Sequence, residues 1–165
     1  MEFSRPVTIE PLPDEAVFDI AASEPERAPL AHRFGLLALD RLEARIRLER
    51  LPGGLLRLAA DLAADVVQEC VVTLEPVASR LEDSFTLLYG EPQNGAGEVV
   101  LSGEAELVEP IPGSTIDIGE AVAQQLSLVL DPYPRAPGVV APTPAPGETK
   151  PDSPFAALAK WKRKS

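Results

Sequence analysis

The chain has 165 residues, 45% of them hydrophobic and only 5% aromatic, enough to bury one moderate core with appendages. Its 26 acidic side chains against 15 basic ones leave a net charge of -11, a field that repels phosphates, so a broad nucleic-acid-binding face is excluded and basic protein partners are favoured. A single cysteine and a single histidine exclude an internal disulfide and fall short of the about four ligands of a structural zinc site, so a reduced, cytoplasmic protein with no metal and no other cofactor is expected.

The start does not read as a secretory signal. Glu2 and Arg5 flank Phe3, Pro6 follows, and nothing in the chain approaches the ~18 to 20 apolar residues of a membrane span. Residues 6–10 read as a short strand ended by Pro11 and Pro13, and 16–20 as a second strand at the edge of a sheet. Ser23 with Glu26 forms a capping-box pattern, and Pro25 falls in a first turn, where a missing N–H costs little. Pro29 either lies in the opening turns or divides the element; the second reading gives a helix over 29–39 with Leu30, Phe34 and Leu37 facing the sheet. His32, between Ala31 and Arg33 with no partner set, reads as a surface residue.

The segment 42–89 predicts three successive strands. Leu42, Ala44, Ile46 and Leu48 alternate with Glu43, Arg45, Arg47 and Glu49, whereas helical spacing would scatter the apolar set and leave no stripe to bury. Pro52, Gly53 and Gly54 then allow a reversal. The next run, 56–66, is ambiguous: its alternation suits a strand paired with the first, but Leu55, Leu58, Leu62 and Val66 also share a helical face. After a corner at 70–77, Leu81, Phe85, Leu87 and Tyr89 alternate with polar residues, and Asp83 breaks the apolar row. Cys70, among valines and beside Glu69, reads as a small buried hydrophobe in surroundings that raise a thiol pKa.

Residues 90–97 read as a loop and 99–107 as a fourth strand, with Gly103 marking a bulge or a close packing point. Glu104 and Glu106 give that strand an acidic outer face able to dock a basic partner. Asp117 and Glu120 mark a second capping box, and Ile118, Ala121, Val122, Leu126, Leu128 and Val129 form the stripe of a helix that Pro132 ends. Gln125 lies within that stripe and reads as a core amide hydrogen-bonded to backbone. The prolines and glycines of 136–153 predict an extended, disordered linker after a domain over 1–135. The last piece, 154–165, changes character: Phe155, Leu158 and Trp161 share a face at helical spacing, and Lys160, Lys162, Arg163 and Lys164 form the only basic patch of an acidic chain, so it reads as a docking peptide.

Three stretches carry a likeness to a known family. Val67-Gln68-Glu69-Cys70-Val71-Val72-Thr73-Leu74-Glu75-Pro76-Val77, Ile116-Asp117-Ile118-Gly119-Glu120-Ala121-Val122 and Leu128-Val129-Leu130-Asp131-Pro132-Tyr133-Pro134, in this order, resemble the bacterial YceD family of large ribosomal RNA subunit accumulation proteins, from about Phe3 to Leu158. Many relatives carry a second cysteine where this chain has Thr73, so any metal role in those relatives does not carry over.

The expected fold is α+β: a mostly antiparallel, curved β-sheet or partly closed barrel with two packed helices and a disordered C-terminal arm. Without βαβ alternation, a glycine-rich phosphate loop or a nucleophile–base set, an enzyme is not expected. The resemblance implies a non-catalytic factor supporting accumulation of the large-subunit (23S) ribosomal RNA and ribosome assembly. Ribosomal or assembly proteins are the expected partners, with RNA touched indirectly or through the basic arm, and no membrane is involved. The alternatives are a protein-protein adaptor unrelated to RNA and a small-molecule-binding β-domain.

Overall fold

The computed structural model describes residues 2–90, 98–101, 104–111 and 113–140, with side chains left undescribed over 98–107. In chain order the elements are β1 (Pro6–Thr8), β2 (Glu15–Ala21), α1 (Glu24–Arg33), β3 (Ala38–Leu51), β4 (Leu55–Glu69), β5 (Pro76–Tyr89), β6 (Glu98–Leu101), β7 (Glu104–Glu109), β8 (Thr115–Asp117) and α2 (Ile118–Val129).

The ambiguous run is a strand, and its register explains why. β3 and β4 pair so that Leu42 faces Ala64, Ala44 faces Leu62 and Ile46 faces Ala60, while β5 sets Leu81 beside Ala64 and Phe85 beside Ala60. Large side chains alternate with alanines across the buried face, the arrangement by which a sheet fills space without clashes. A helix over 56–66 would have left the apolar row of β3 without that partner.

Six strands lie in the order β2-β3-β4-β5-β7-β6. All pairs are antiparallel except β5 and β7, which run parallel over Leu88↔Val108 and Tyr89↔Glu109. The sheet is open, with β2 and β6 as its edges, so the expectation of a partly closed barrel gives way to the curved-sheet form. Both helices cover one face: Leu30 and Ala31 of α1, and Ile118, Val122, Ala123 and Leu126 of α2, join Leu42, Ile46, Leu48 and Leu58 in one core. Arg33 ties the helices together, donating from Nη1 and Nη2 to Glu120 at 3.0 and 2.7 Å.

β1 pairs with β8, a strand the periodicity did not predict because it is three residues long, and this small sheet leads the N-terminus across the start of α2. There the N–H of Arg5 donates to Asp117 Oδ1 at 2.8 Å, and the N–H of Ile118 donates back to the Arg5 carbonyl at 3.1 Å. Gly119 permits the crossing, since a Cβ at that position would lie 2.4 Å from the Phe3 carbonyl oxygen.

Three expectations are corrected. Leu128, placed in the apolar stripe of α2, is 76% exposed, because it lies on the side of the helix away from core residues Val122 and Leu126. The helix does not occupy 29–39: α1 keeps both prolines, ends at Arg33, and is closed by Gly35 at φ +66°, so Leu37 is 52% exposed rather than turned to the sheet. The single strand expected over 99–107 is instead the antiparallel pair of β6 and β7, with Leu101 opposite Glu104; Gly103, read as a bulge or close packing point, lies outside the described residues.

Candidate interaction surfaces

The first and third sequence motifs meet at the turn between β4 and β5. The segment after α2 lies across that turn: Gln68 Nε2 donates to the Asp131 carbonyl at 2.8 Å, the Val71 N–H to the Pro134 carbonyl at 2.9 Å, and the Ala136 N–H to Cys70 Sγ at 3.3 Å. The turn closes on itself as well, with the Thr73 N–H pointing at Cys70 Sγ at 3.4 Å and the Leu74 N–H donating to the Cys70 carbonyl at 2.9 Å. Cys70 is fully buried, as its neighbours predict. Its pKa moves the other way, however: the Thr73 side chain and the N–H groups of Ala136 and Thr73 stabilise the thiolate and bring it down to about 7, outweighing burial. The apolar neighbours matter less than the Thr73 side chain, the largest influence, and the amide dipoles delivered by the turn and by a segment far along the chain.

Around this knot the chain exposes apolar side chains. Val71, Val72, Leu74 and Tyr133 all face solvent, Leu74 at 66% and Tyr133 at 70%. Leu74 also has φ +62°, a region that branched, bulky residues avoid. Exposed Glu69, Glu75 and Asp131 rim the same end. The sequence did carry a signal for this patch: valines and a leucine occupy turn positions where glycine, asparagine or serine are usual.

The second surface is the face of the sheet opposite the helices. Its rows run across the strands, as in Ala21–Glu43–Ala63–Glu82 and Asp19–Arg45–Asp61–Ser84. Alanines keep the floor low, and a depression of about 910 Å³ opens over these two rows. The cross-strand pair Arg45–Asp19 at 3.5 Å lies in it, Arg47–Glu15 at 3.2 Å lies further along the same strands, and Asp61 accepts from the Ser84 hydroxyl at 2.6 Å. On the helix side of the same row, Asp83 and Gln125 are each other's partner, Nε2 to Oδ2 at 2.7 Å, so the amide expected to bond backbone bonds a carboxylate instead.

Of the predicted site residues, Glu104 and Glu106 fall on β7 with side chains outside the described ones, and Phe155, Leu158, Lys160, Trp161, Lys162, Arg163 and Lys164 lie outside the described residues. His32 is exposed on α1.

A two-layer α+β domain built on a long central hairpin, with its sequence motifs gathered at a turn-and-strap knot and at the start of α2, is the class these observations define. The chain belongs to the family described as large ribosomal RNA subunit accumulation protein YceD, whose family model matches residues 58–162. Searches of curated proteins and of solved structures found no match. The family's name places the chain with large-subunit ribosomal RNA accumulation. No helix among the described residues is long and apolar enough to cross a membrane.

Proposed function

We propose that the protein is a non-catalytic, cytoplasmic factor that supports large-subunit ribosomal RNA by gripping basic ribosomal or assembly proteins, with its body held off the RNA. The disposition of the arginines carries this reading. Through residue 135 the chain has 24 Asp and Glu against 10 Arg and no Lys, a net charge of -14. Arg5, Arg33, Arg41, Arg45, Arg47, Arg57 and Arg80 all face carboxylates, and Arg27 and Arg50 donate to main-chain carbonyls. Guanidinium groups so engaged have little left for phosphate, and the surrounding negative field opposes its approach. The depression over Asp19, Glu43, Asp61 and Glu82 suits a basic, extended segment: its acidic groups complement lysine and arginine, and its alanine floor admits the backbone. Direct phosphate contact is left to Lys160, Lys162, Arg163 and Lys164.

The test is affinity capture of the tagged full chain from cells, with and without nuclease. Ribosomal or assembly proteins retained after nuclease treatment, and lost in Asp61→Lys/Glu82→Lys, support the reading. Capture that vanishes with nuclease would show that RNA holds the complex, and the acidic face would then have no part in it.

A further inference from the structure

The apolar end formed by the β4–β5 turn and the strap after α2 asks for an occupant. Leu74 is the sharpest sign: it accepts a left-handed backbone conformation that a leucine disfavours and then leaves its side chain two-thirds in water, so neither backbone preference nor the described core accounts for the residue. Val71, Val72 and Tyr133 extend the patch from both sides of the knot, and isolated exposure does not explain four such side chains on two crossing segments.

We propose that this end is the seat of the chain's own C-terminal segment, with Phe155, Leu158 and Trp161 laid against Leu74, Val71 and Tyr133. Three observations select this occupant over an outside protein. The described chain leaves the domain at this patch, since Ala136 is bonded to Cys70 and Val139 to Ala136, and Val140 follows exposed. Residues 141–154 therefore need only close a loop back to where they began, and the entropy of closing a loop grows slowly with its length. The chemistry also matches: the segment pairs an apolar face with Lys160, Lys162, Arg163 and Lys164, while the patch pairs an apolar centre with Glu69, Glu75 and Asp131. The family match, finally, begins within β4 and runs to residue 162, so it takes in the hairpin, α2, the strap and this segment together while leaving β1 to β3 and α1 aside.

Trp161 is the only tryptophan, so its fluorescence reports the docking directly in the full chain. The expected result is an emission maximum shifted to the blue of free tryptophan and protected from acrylamide, unchanged on dilution, and returned to the free-tryptophan position by Leu74→Asp. That substitution is chosen because the side chain is exposed and aspartate tolerates a positive φ, and an unaltered circular dichroism spectrum checks the fold. Tyr133→Ser provides an independent second variant with the same expected loss. Emission identical to free tryptophan in the unaltered chain overturns the proposal. So does a blue shift that both variants leave intact, which would seat the segment elsewhere, or one that fades on dilution, which would make the occupant a second copy.

Discussion

Gly119→Ala offers a sharp test of the packing at the start of α2, because two effects of opposite sign compete there. Alanine is the better helix former by up to ~1 kcal/mol, and less in a first turn, so an open site would be stabilised. The site is not open. An added Cβ would lie 2.4 Å from the Phe3 carbonyl oxygen, 3.0 Å from the Arg5 nitrogen and 3.2 Å from Arg5 Cγ. Main-chain atoms cannot yield as a side-chain tip can, so the N-terminal segment must move, at the ~1 to 3 kcal/mol typical of overpacking. That movement also loosens the Arg5–Asp117 and Ile118–Arg5 bonds, each contributing about 1 kcal/mol. The net expectation is a loss of ~2 to 3 kcal/mol, a fall in Tm of roughly 6 to 12 °C for a domain of this size. Urea titration followed by far-ultraviolet circular dichroism measures it. A variant as stable as the parent, or more so, would refute the close approach of the N-terminal segment to α2.

Three further outcomes are expected. A double-mutant cycle on Asp83→Ala and Gln125→Ala should return a favourable coupling on the order of 1.5 to 3 kcal/mol, since each is the other's hydrogen-bond partner; additive losses would mean that water satisfies both. The Cys70 thiol, held at about 7, adds stability that is fully present above the thiol's unfolded value of ~8.5 and is lost as pH falls through 7. The stability difference between the parent chain and Cys70→Ala should therefore rise with pH across that window, while buried Cys70 still reacts slowly with thiol reagents; a flat difference would sink the assignment of amide donors to the sulfur. A chain ending at Val140 should bind ribosomal RNA negligibly even at low salt, and the full chain with a log–log salt slope no steeper than about -3.5 to -4.5, from the five basic side chains after Val140, Lys150 and the four terminal ones. Steep, tight binding by the shortened chain would contradict the acidic-body argument.

The central hairpin was legible because period-two alternation survives residue by residue, and the alanines of β4 that blurred it are the partners of large residues on β3 and β5. Contacts made across the chain were not legible. Gln125 and Asp83 each stood out as a polar residue in an apolar row, but nothing local joins positions that far apart. The pKa of Cys70 was legible only in part: Thr73, its largest influence, stands three residues away in the sequence, whereas the N–H of Ala136 arrives from beyond α2. Short elements failed differently. β8 is too brief to show a period, and the run 99–107 read as one strand because β6 and β7 are each too short to announce the break between them. Of the candidate surfaces, the basic and apolar C-terminal residues and the acidic strand were marked from sequence; the depression on the sheet was not, since its floor exists only when Ala21 and Ala63 are brought side by side with Glu43 between them.

The length of that hairpin sets the distance between two ends of the domain. β4 and β5 run for 15 and 14 residues, and at ~3.3 Å per residue they extend for about 45 to 50 Å, paired along their full course. The apolar turn sits at one tip, and the short parallel contact with β7 sits at the other, at Leu88 and Tyr89. A stiff beam of this kind behaves as a ruler. Whatever is held at one tip is kept at a set distance from whatever is held at the other, and a bend in either partner is not absorbed by the beam.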